Sequence, residues 1–287
     1  MNRREDSSVA AILHKTLRTA GKILILSCLF TLTAPVSHAG DNDAENYKVR
    51  FTAFWWYSNP SGHFSDTENA GSSHSFDLNK DFGFGSYSTF SGNFDWRFTR
   101  RNHLLFGASP VESSNTRTLT RTITFNGKTY DVGTAVSADI QSLAFSPGYQ
   151  FDFMRRDWGT FSGIAQLFLI NTDAKISSAV SVNGQTVVQS SSESVLAPIP
   201  AIGPRIRWYP NHDSNRFVVD GVAQGMYLFG YGDFYSAKGT GGVALGQHWK
   251  LTAGYQMGTR LTIHGTEDSM GFRLVQKGPV VGFEGGW

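Results

Sequence analysis

Apolar and polar residues alternate along most of this chain with a period of two. Odd positions from Tyr47 to Trp55 are apolar, whereas Lys48, Arg50 and Thr52 occupy even positions. The same alternation recurs in TFSGNFDWRF, LAFSPGYQFDF, WKLTAGYQMGTRLTIH and VVGFEGGW. Successive side chains of a β-strand point to opposite faces. The pattern therefore predicts strands with one apolar and one polar face.

Short and long connections join these strands in turn. Short turns are predicted near 99–102, 155–159, 210–215 and 246–248, and longer polar segments near 58–85, 112–136, 174–194, 230–236 and 264–269. We predict about ten strands of the ~9–11 residues that a tilted membrane strand needs, with eight and twelve as the alternatives. Short turns at one rim and long loops at the other are typical of an outer-membrane barrel.

Two of the long segments contain an Asn-Gly pair between strand-forming residues. Asn126-Gly127 and Asn183-Gly184 both suit a type I′ turn, in which the two central residues need positive φ. We predict that both segments are extracellular hairpins that extend the barrel wall beyond the membrane. The polar segment that ends at Asp81 is interpreted instead as a mobile outer loop.

The composition favours a secreted membrane protein. The sequence contains 14% aromatic residues and 31 glycines but only 17% charged residues, which is little charge for a soluble surface. Residues 1–39 combine basic residues, the apolar run ILILSCLFTLTAPV and small residues before Gly40, as a cleaved signal peptide does. We therefore predict a signal peptide over 1–39, a short segment over 40–45 and an all-β, antiparallel up-and-down transmembrane barrel over 46–287. The alternative fold is a soluble periplasmic β-sandwich.

The rest of the composition excludes several classes of protein. Removal of the signal peptide takes away five basic and two acidic residues and leaves 20 basic and 21 acidic ones. No basic stripe survives, so the sequence does not indicate nucleic-acid binding. Cys28, the one cysteine, lies in the signal peptide, so neither a disulfide nor thiol chemistry is predicted for the mature protein. The alternative is a lipoprotein cut before Cys28.

The segment VVGFEGGW predicts a closing strand. Val281, Phe283 and Trp287 would face lipid and Glu284 the lumen, which is the interior of the barrel. In this pattern the chain resembles bacterial outer-membrane β-barrel proteins, in the group of small OmpA-, OmpX- and OmpW-like barrels. The resemblance implies a Gram-negative outer membrane as location, contact with its lipid and lipopolysaccharide, and a terminal signal read by the barrel-assembly machinery. Trp287 departs from the phenylalanine that is usual there.

The polar faces of the predicted strands supply candidate lumen-lining residues. They are Lys48, Arg50, Asp95, Arg97, Asp152, Arg205, Arg207, Asp220, Lys250, Arg260 and Glu284. One interpretation is a plugged lumen, because buried charges must be paired. The other is a narrow, porin-like pore for small solutes in which excess positive charge favours anions. Oligomeric state and solute stay open.

Enzymatic and metal sites are the weaker alternatives. His264, with Glu267 and Asp268, is the best candidate for a surface protease or lipid-modifying hydrolase, but no catalytic residue is assigned. Three other histidines fall at predicted turns, where contact with water is enough to account for a histidine. They are His103, His212 and His248. No ligand spacing indicates a metal or another cofactor. The sequence thus predicts a structural or surface-interaction role, or a narrow pore, with an enzyme as the alternative.

Overall fold

A computed structural model describes the fold for residues 47–66, 74–125, 128–182, 185–211, 216–228, 232–263 and 271–287. The predicted signal peptide and both Asn-Gly pairs lie outside these residues, as do His212, His264, Glu267 and Asp268. Within them, no helix is long and apolar enough to cross a membrane. The described residues belong to one compact unit, Asp41–Trp287.

Ten strands form the barrel. They are β1 (Val49–Asp66), β3 (Tyr87–Arg97), β4 (Asn102–Thr118), β7 (Ala135–Arg156), β8 (Gly159–Val182), β9 (Gln185–Trp208), β10 (Phe217–Leu228), β11 (Gly232–Ala244), β12 (Trp249–Ile263) and β13 (Gly271–Gly286). Three short strands lie outside the barrel: β2 (His74–Asp77), β5 (Ile123–Phe125) and β6 (Lys128–Tyr130). Each barrel strand pairs antiparallel with both of its neighbours.

The sheet closes on itself through its first and last barrel strands. β13 pairs with β1 in a register that sets Arg50 opposite Gly286 and Trp55 opposite Val281. Beyond this ladder, Val49 N–H donates to the carbonyl of Trp287 at 2.8 Å, and Trp287 N–H donates to the carbonyl of Val49 at 2.9 Å. Closure matters because an open sheet edge in lipid would leave backbone groups without partners. The all-β, ten-stranded, up-and-down barrel is thereby confirmed.

The outer face of the barrel is apolar and aromatic. Trp55 is 62% exposed and Phe90 is 55% exposed, although both are large hydrophobic side chains. Val281 and Phe283 lie on this face as well. The rings of Trp249 and Trp287 meet edge to face, with their centroids 5.1 Å apart. Such a surface would be unfavourable in water and is the apolar band of a membrane barrel.

β9 is an unusual barrel strand because it carries Pro198, Pro200 and Pro204. It pairs with β8 along its whole length. Its pairing with β10, by contrast, consists of residue 202 and residues 205–208 and omits Gly203 and Pro204. Since proline has no N–H to donate, the prolines account for ladder bonds that are missing from this strand.

The two ends of the barrel differ. Turns of at most eight residues follow β3, β7, β9 and β11 at one end, the short-turn end, which corresponds to the periplasmic side of outer-membrane barrels. At the other, long-loop end, β8 and β9 form one hairpin in which Val182 pairs with Gln185. The hairpin around residues 126–127 differs from the prediction: β5 and β6 form a separate two-stranded sheet and do not extend the wall.

This separate sheet belongs to a cap, which we define as residues 77–86, 119–125 and 128–134. The cap has its own buried apolar cluster, which includes Leu78, Phe82, Phe84, Leu119, Ile123 and Tyr130. The cluster also contains Val136 and Ile176, which lie on the inner faces of β7 and β8. The cap therefore occupies the mouth of the barrel. The interpretation of the segment that ends at Asp81 as a mobile outer loop is wrong for residues 77–81, because Leu78 is buried in that cluster and Asp81 is buried as well.

Candidate functional site

Charged side chains meet inside the barrel near its short-turn end. His103, on β4, is fully buried between two carboxylates. Its Nδ1 is 2.8 Å from Oδ1 of Asp95, and its Nε2 is 3.1 Å from Oδ2 of Asp152. Arg50 donates to Asp95 at 2.5 Å, and Arg155 donates to Asp152 at 2.5 Å. The imidazole can donate to both carboxylates only when both of its nitrogens carry a proton.

Neutral donors complete the coordination of these carboxylates. Asp152 accepts hydrogen bonds from the Gln150 amide at 2.9 Å and from the Ser162 hydroxyl at 2.7 Å. Asp95 accepts one from the Tyr47 hydroxyl at 2.8 Å. Both carboxylates are therefore held by charged and neutral donors together, which buried charges require.

A second cluster lies on the opposite wall. Arg205 donates two hydrogen bonds to Asp220, from Nε to Oδ1 at 3.1 Å and from Nη2 to Oδ2 at 2.5 Å. This is the bidentate arrangement that guanidinium groups favour. Arg207 donates to Asp220 at 2.6 Å and also to Glu284. Lys250 Nζ lies 3.7 Å from Glu284.

A hydrogen bond from Arg205 to Oε1 of Gln150, at 3.2 Å, joins the two clusters. We call the joined group the ionic layer. It comprises Arg50, Asp95, His103, Gln150, Asp152, Arg155, Ser162, Arg205, Arg207, Tyr209, Asp220, Lys250 and Glu284. Its strand residues come from nine of the ten barrel strands, all except β11. The layer therefore crosses the interior from wall to wall.

Most of the predicted lumen residues fall in this layer. They are Arg50, Asp95, Asp152, Arg205, Arg207, Asp220, Lys250 and Glu284. Two others lie at the short-turn rim: the Arg97 guanidinium is 5.2 Å from the ring centroid of Tyr47, and Lys48 is exposed.

Arg260 is the exception, because it lies on the outer face. Its side chain is 46% exposed and forms an ion pair with Asp233 at 3.1 Å. The neighbouring Leu261 is buried inside the barrel instead. The pairing of β12 with β13 shifts between Gln256 and Thr259. Such a bulge adds a residue to one strand and reverses the alternation beyond it.

Sequence reasoning missed several inward-facing residues, among them the two charged or titratable residues His103 and Lys238. His103 was assigned to a solvated turn, although it shares its face of β4 with the buried Leu105. Lys238 was overlooked because the glycine-rich stretch of β11 shows no clear alternation. The two-residue period leads from Leu105 back to His103 and from Phe234 forward to Lys238, so its continuation would have assigned both residues to the inner face.

A cavity of about 230 Å³ lies in the lumen beside the ionic layer. Arg50, Asp220 and Glu284 contribute to its charged side. Serine, threonine, glutamine and apolar side chains form the rest, together with Lys238. Gln224 donates to Gln166 across this lining at 2.8 Å.

An apolar cluster lies at the long-loop side of the cavity. Phe168 and Phe234 approach with ring centroids 5.1 Å apart, and Ile199, Ala201 and Leu261 pack with them. These side chains come from the inner faces of β8, β9, β11 and β12. The cavity thus has an ionic side towards the short turns and an apolar side towards the cap.

Polar contacts fix the cap. Arg121 binds Asp81 with two nitrogens, at 3.0 and 2.6 Å, and this hydrogen-bonded guanidinium holds the pKa of Asp81 below its usual value. The carboxylate in turn raises the pKa of Arg121. Asn79 donates to the carbonyls of Pro60 at 3.1 Å and Phe84 at 2.6 Å. Within the described ranges, no group of three or more His, Cys, Asp and Glu residues is arranged to hold a metal ion.

No protein-family model matches this sequence, and no curated protein does. Among solved structures, the chain is similar to the outer membrane protease OmpT from Escherichia coli, with a TM-score of 0.52, 7% identity and coverage of 86% of this chain and 100% of that one. The attachment invasion locus protein Ail of Yersinia pestis, in complex with the heparin analogue sucrose octasulfate, gives a TM-score of 0.35 at 11% identity, with 83% and 99% covered. The Pseudomonas putida toluene transporter TodX gives a TM-score of 0.37 at 9% identity, with 85% and 90% covered. The likeness to the protease is one of fold: this chain is folded as an outer-membrane β-barrel.

Proposed function

We propose that this protein is a bacterial outer-membrane barrel with a closed lumen, and that it has a structural or surface-interaction role at its long-loop end. The observation that carries the proposal is the ionic layer. Its buried charges are paired with one another, so opening an aqueous path would mean breaking several of these pairs at once.

The opposite end of the lumen supports the same conclusion. The apolar contact between Phe168 and Phe234 lies between the cavity and the cap, and the cap fills the mouth with its own buried cluster. A porin-like passage would need a continuous polar path, which an apolar constriction interrupts by dewetting.

The length of the barrel wall supports a role at the long-loop end. β8 and β9 each have 24 residues, whereas a tilted strand needs only ~9–11 to cross the hydrocarbon. More than half of each strand therefore projects beyond the membrane. The projecting wall and the cap together form a folded surface on the cell exterior. There we expect contacts with lipopolysaccharide or with an external partner.

Electrical recording of the folded protein tests the closed lumen. The full barrel is refolded, its folding is checked by heat-modifiable migration on a gel, and it is inserted into a planar lipid bilayer. We expect no steady conductance, whereas a large porin in the same bilayer gives open steps. Steady, ion-selective steps from folded protein would overturn the proposal and favour the pore.

A further inference from the structure

Two residues that line the lumenal cavity carry a hydrogen-bond donor with no acceptor among the residues that the structure describes. Trp56 is 5% exposed, and its buried indole N–H has no partner within that part of the chain. Lys238 makes no hydrogen bond and no ion pair within the described part of the chain. Its ammonium lies over the ring of Phe54, 4.4 Å from the ring centroid. Both residues belong to the cavity lining.

Lys238 reaches across the lumen to make this contact. It comes from β11, whereas Phe54 and Trp56 are neighbours on the inner face of β1, three strands away around the wall. A cation–π contact compensates only part of the cost of taking an ammonium group out of water. A negative group beside Lys238 would supply the remainder.

The carboxylates that share the cavity are already engaged. Asp95 is held by Arg50, Asp220 by Arg205 and Arg207, and Glu284 by Arg207 and Lys250. The ionic layer and Lys238 together contain six lysine and arginine side chains and four aspartate and glutamate side chains. These are Arg50, Arg155, Arg205, Arg207, Lys238 and Lys250 against Asp95, Asp152, Asp220 and Glu284. The described interior therefore has an excess of positive charge.

The other side chains that line the cavity favour a ligand that is partly apolar. Phe54, Ile164, Val222 and Val280 all contribute to the cavity wall. The volume of about 230 Å³ corresponds to about eight waters at ~30 Å³ each. A molecule of that size can present one anionic group and a small hydrocarbon or aromatic body.

We propose that the lumenal cavity binds a small monocarboxylate, whose anionic end accepts hydrogen bonds from Lys238 and Trp56 and whose apolar body packs against Phe54 and its neighbours. The site goes beyond the proposed surface role and does not depend on it. In a closed lumen the ligand enters slowly, during a local opening. In an open lumen it enters quickly.

Equilibrium binding of benzoate to the full barrel, folded in detergent, tests this proposal. Benzamide, which has the same ring without the charge, is the matched probe. We expect one saturable benzoate site by calorimetry and by Trp fluorescence, with benzamide at least about tenfold weaker. Absence of benzoate binding, or equal binding of the two probes, would overturn the proposal.

Two variants and one control locate the site. Lys238→Met keeps the length of the side chain but removes its charge, and Trp56→Phe keeps a ring but removes the N–H donor. We expect each to weaken benzoate binding, Lys238→Met by about tenfold or more. Lys175→Met, which removes an exposed lysine from β8, should leave the affinity unchanged. Unchanged affinity in both Lys238→Met and Trp56→Phe would contradict the site, and heat-modifiable migration verifies that each variant is folded.

The time course separates this proposal from the closed lumen. Benzoate is added either during refolding or afterwards. Equal final occupancy with slow uptake in the second case fits a binding site in a closed lumen. Fast uptake would contradict the closed lumen but leave the binding site standing, whereas no occupancy under either condition would overturn the site alone.

Discussion

Arg207 on β9 donates a hydrogen bond to Glu284 on β13, four strands away around the barrel wall. The two residues are 77 positions apart in the sequence. The bond therefore spans the lumen and ties the closing strand to the middle of the chain. Glu284 also faces Lys250, while Arg207 also binds Asp220. Each member of the pair is consequently held by a second charge.

Neutralising Glu284 should destabilise the barrel strongly. In Glu284→Gln, Lys250 loses its ion pair and Arg207 is left to share Asp220 with Arg205, and loss of one partner of a buried ion pair costs about 3–5 kcal/mol. The measurement is the free energy of unfolding in urea under conditions where refolding is reversible. Arg260→Gln is the matched control, because the Arg260 side chain is 46% exposed on the outer face and its ion pair with Asp233 should contribute at most about 1 kcal/mol. Equal losses in the two variants would mean that the ionic layer does not stabilise the fold.

His103 should be far more important than its position near a turn suggests. His103→Ala removes the group that bridges Asp95 and Asp152 and leaves both carboxylates short of a donor. We expect a loss of about 3 kcal/mol or more in the free energy of unfolding. His248 offers a control in the same protein, because it is exposed and stacks on Trp287 with ring centroids 6.1 Å apart. Its replacement by Ala should cost about 0.5 kcal/mol, and a similar cost for both histidines would contradict the bridging role.

The sequence was sufficient for the barrel because lipid imposes a strict rule on each strand. Val281 and Phe283 had to face outward if Glu284 faced inward, and in the structure the first two are exposed whereas Glu284 is buried. The alternation also assigned Arg205, Arg207 and Asp220 to one face. Which carboxylate each arginine would bind was not predictable, since partners such as Arg207 and Glu284 meet only after the sheet closes.

Local irregularities explain the remaining differences. Arg260 follows a bulge, and a pattern with a fixed period of two cannot reveal where one residue is added. Lys238 lies in a stretch where glycines replace the apolar half of the pattern. The cap residues Leu78, Phe82 and Phe84 pack against side chains on distant strands, and a polar segment with scattered apolar residues gives no sign of such a tertiary contact. The role of Val281, Phe283 and Trp287 as an assembly signal stays a prediction.

Acid should loosen the cap while the barrel persists. The folded-state pKa of Asp81 is below the usual value of an aspartate in an unfolded chain, because Arg121 donates hydrogen bonds to the carboxylate. The stabilisation is therefore complete above that value and is lost as the pH falls through the lower, folded-state pKa. Since the Arg121 side chain is 46% exposed, we expect at most about 1 kcal/mol. Hydrogen-exchange protection of the Phe84 amide, which donates to the carbonyl of Leu78 at 3.1 Å, is the measurement.

Asp81→Asn serves as the control for this pH dependence. It should lower the protection of the Phe84 amide at neutral pH and remove the further loss in acid. Amides in the ladder between β12 and β13 should keep their protection in both proteins over the same range. An unchanged acid response in Asp81→Asn would assign the effect to another group.

A single glycine should decide whether the cap holds its shape. Gly83 has a φ of 67°, in the left-handed region, and a Cβ added there would lie 2.7 Å from Nδ2 of Asn115. Asn115 cannot easily withdraw, because it donates to the carbonyl of Phe82 at 2.7 Å. Gly83→Ala should therefore destabilise the cap by about 1–2 kcal/mol from backbone conformation alone and increase cleavage of the cap by an external protease. Gly85→Ala is the matched control, since a Cβ at Gly85 meets nothing within 4 Å. If the two variants are cleaved at the same rate, while heat-modifiable migration shows both barrels folded, then the cap is not held by the packing around Gly83.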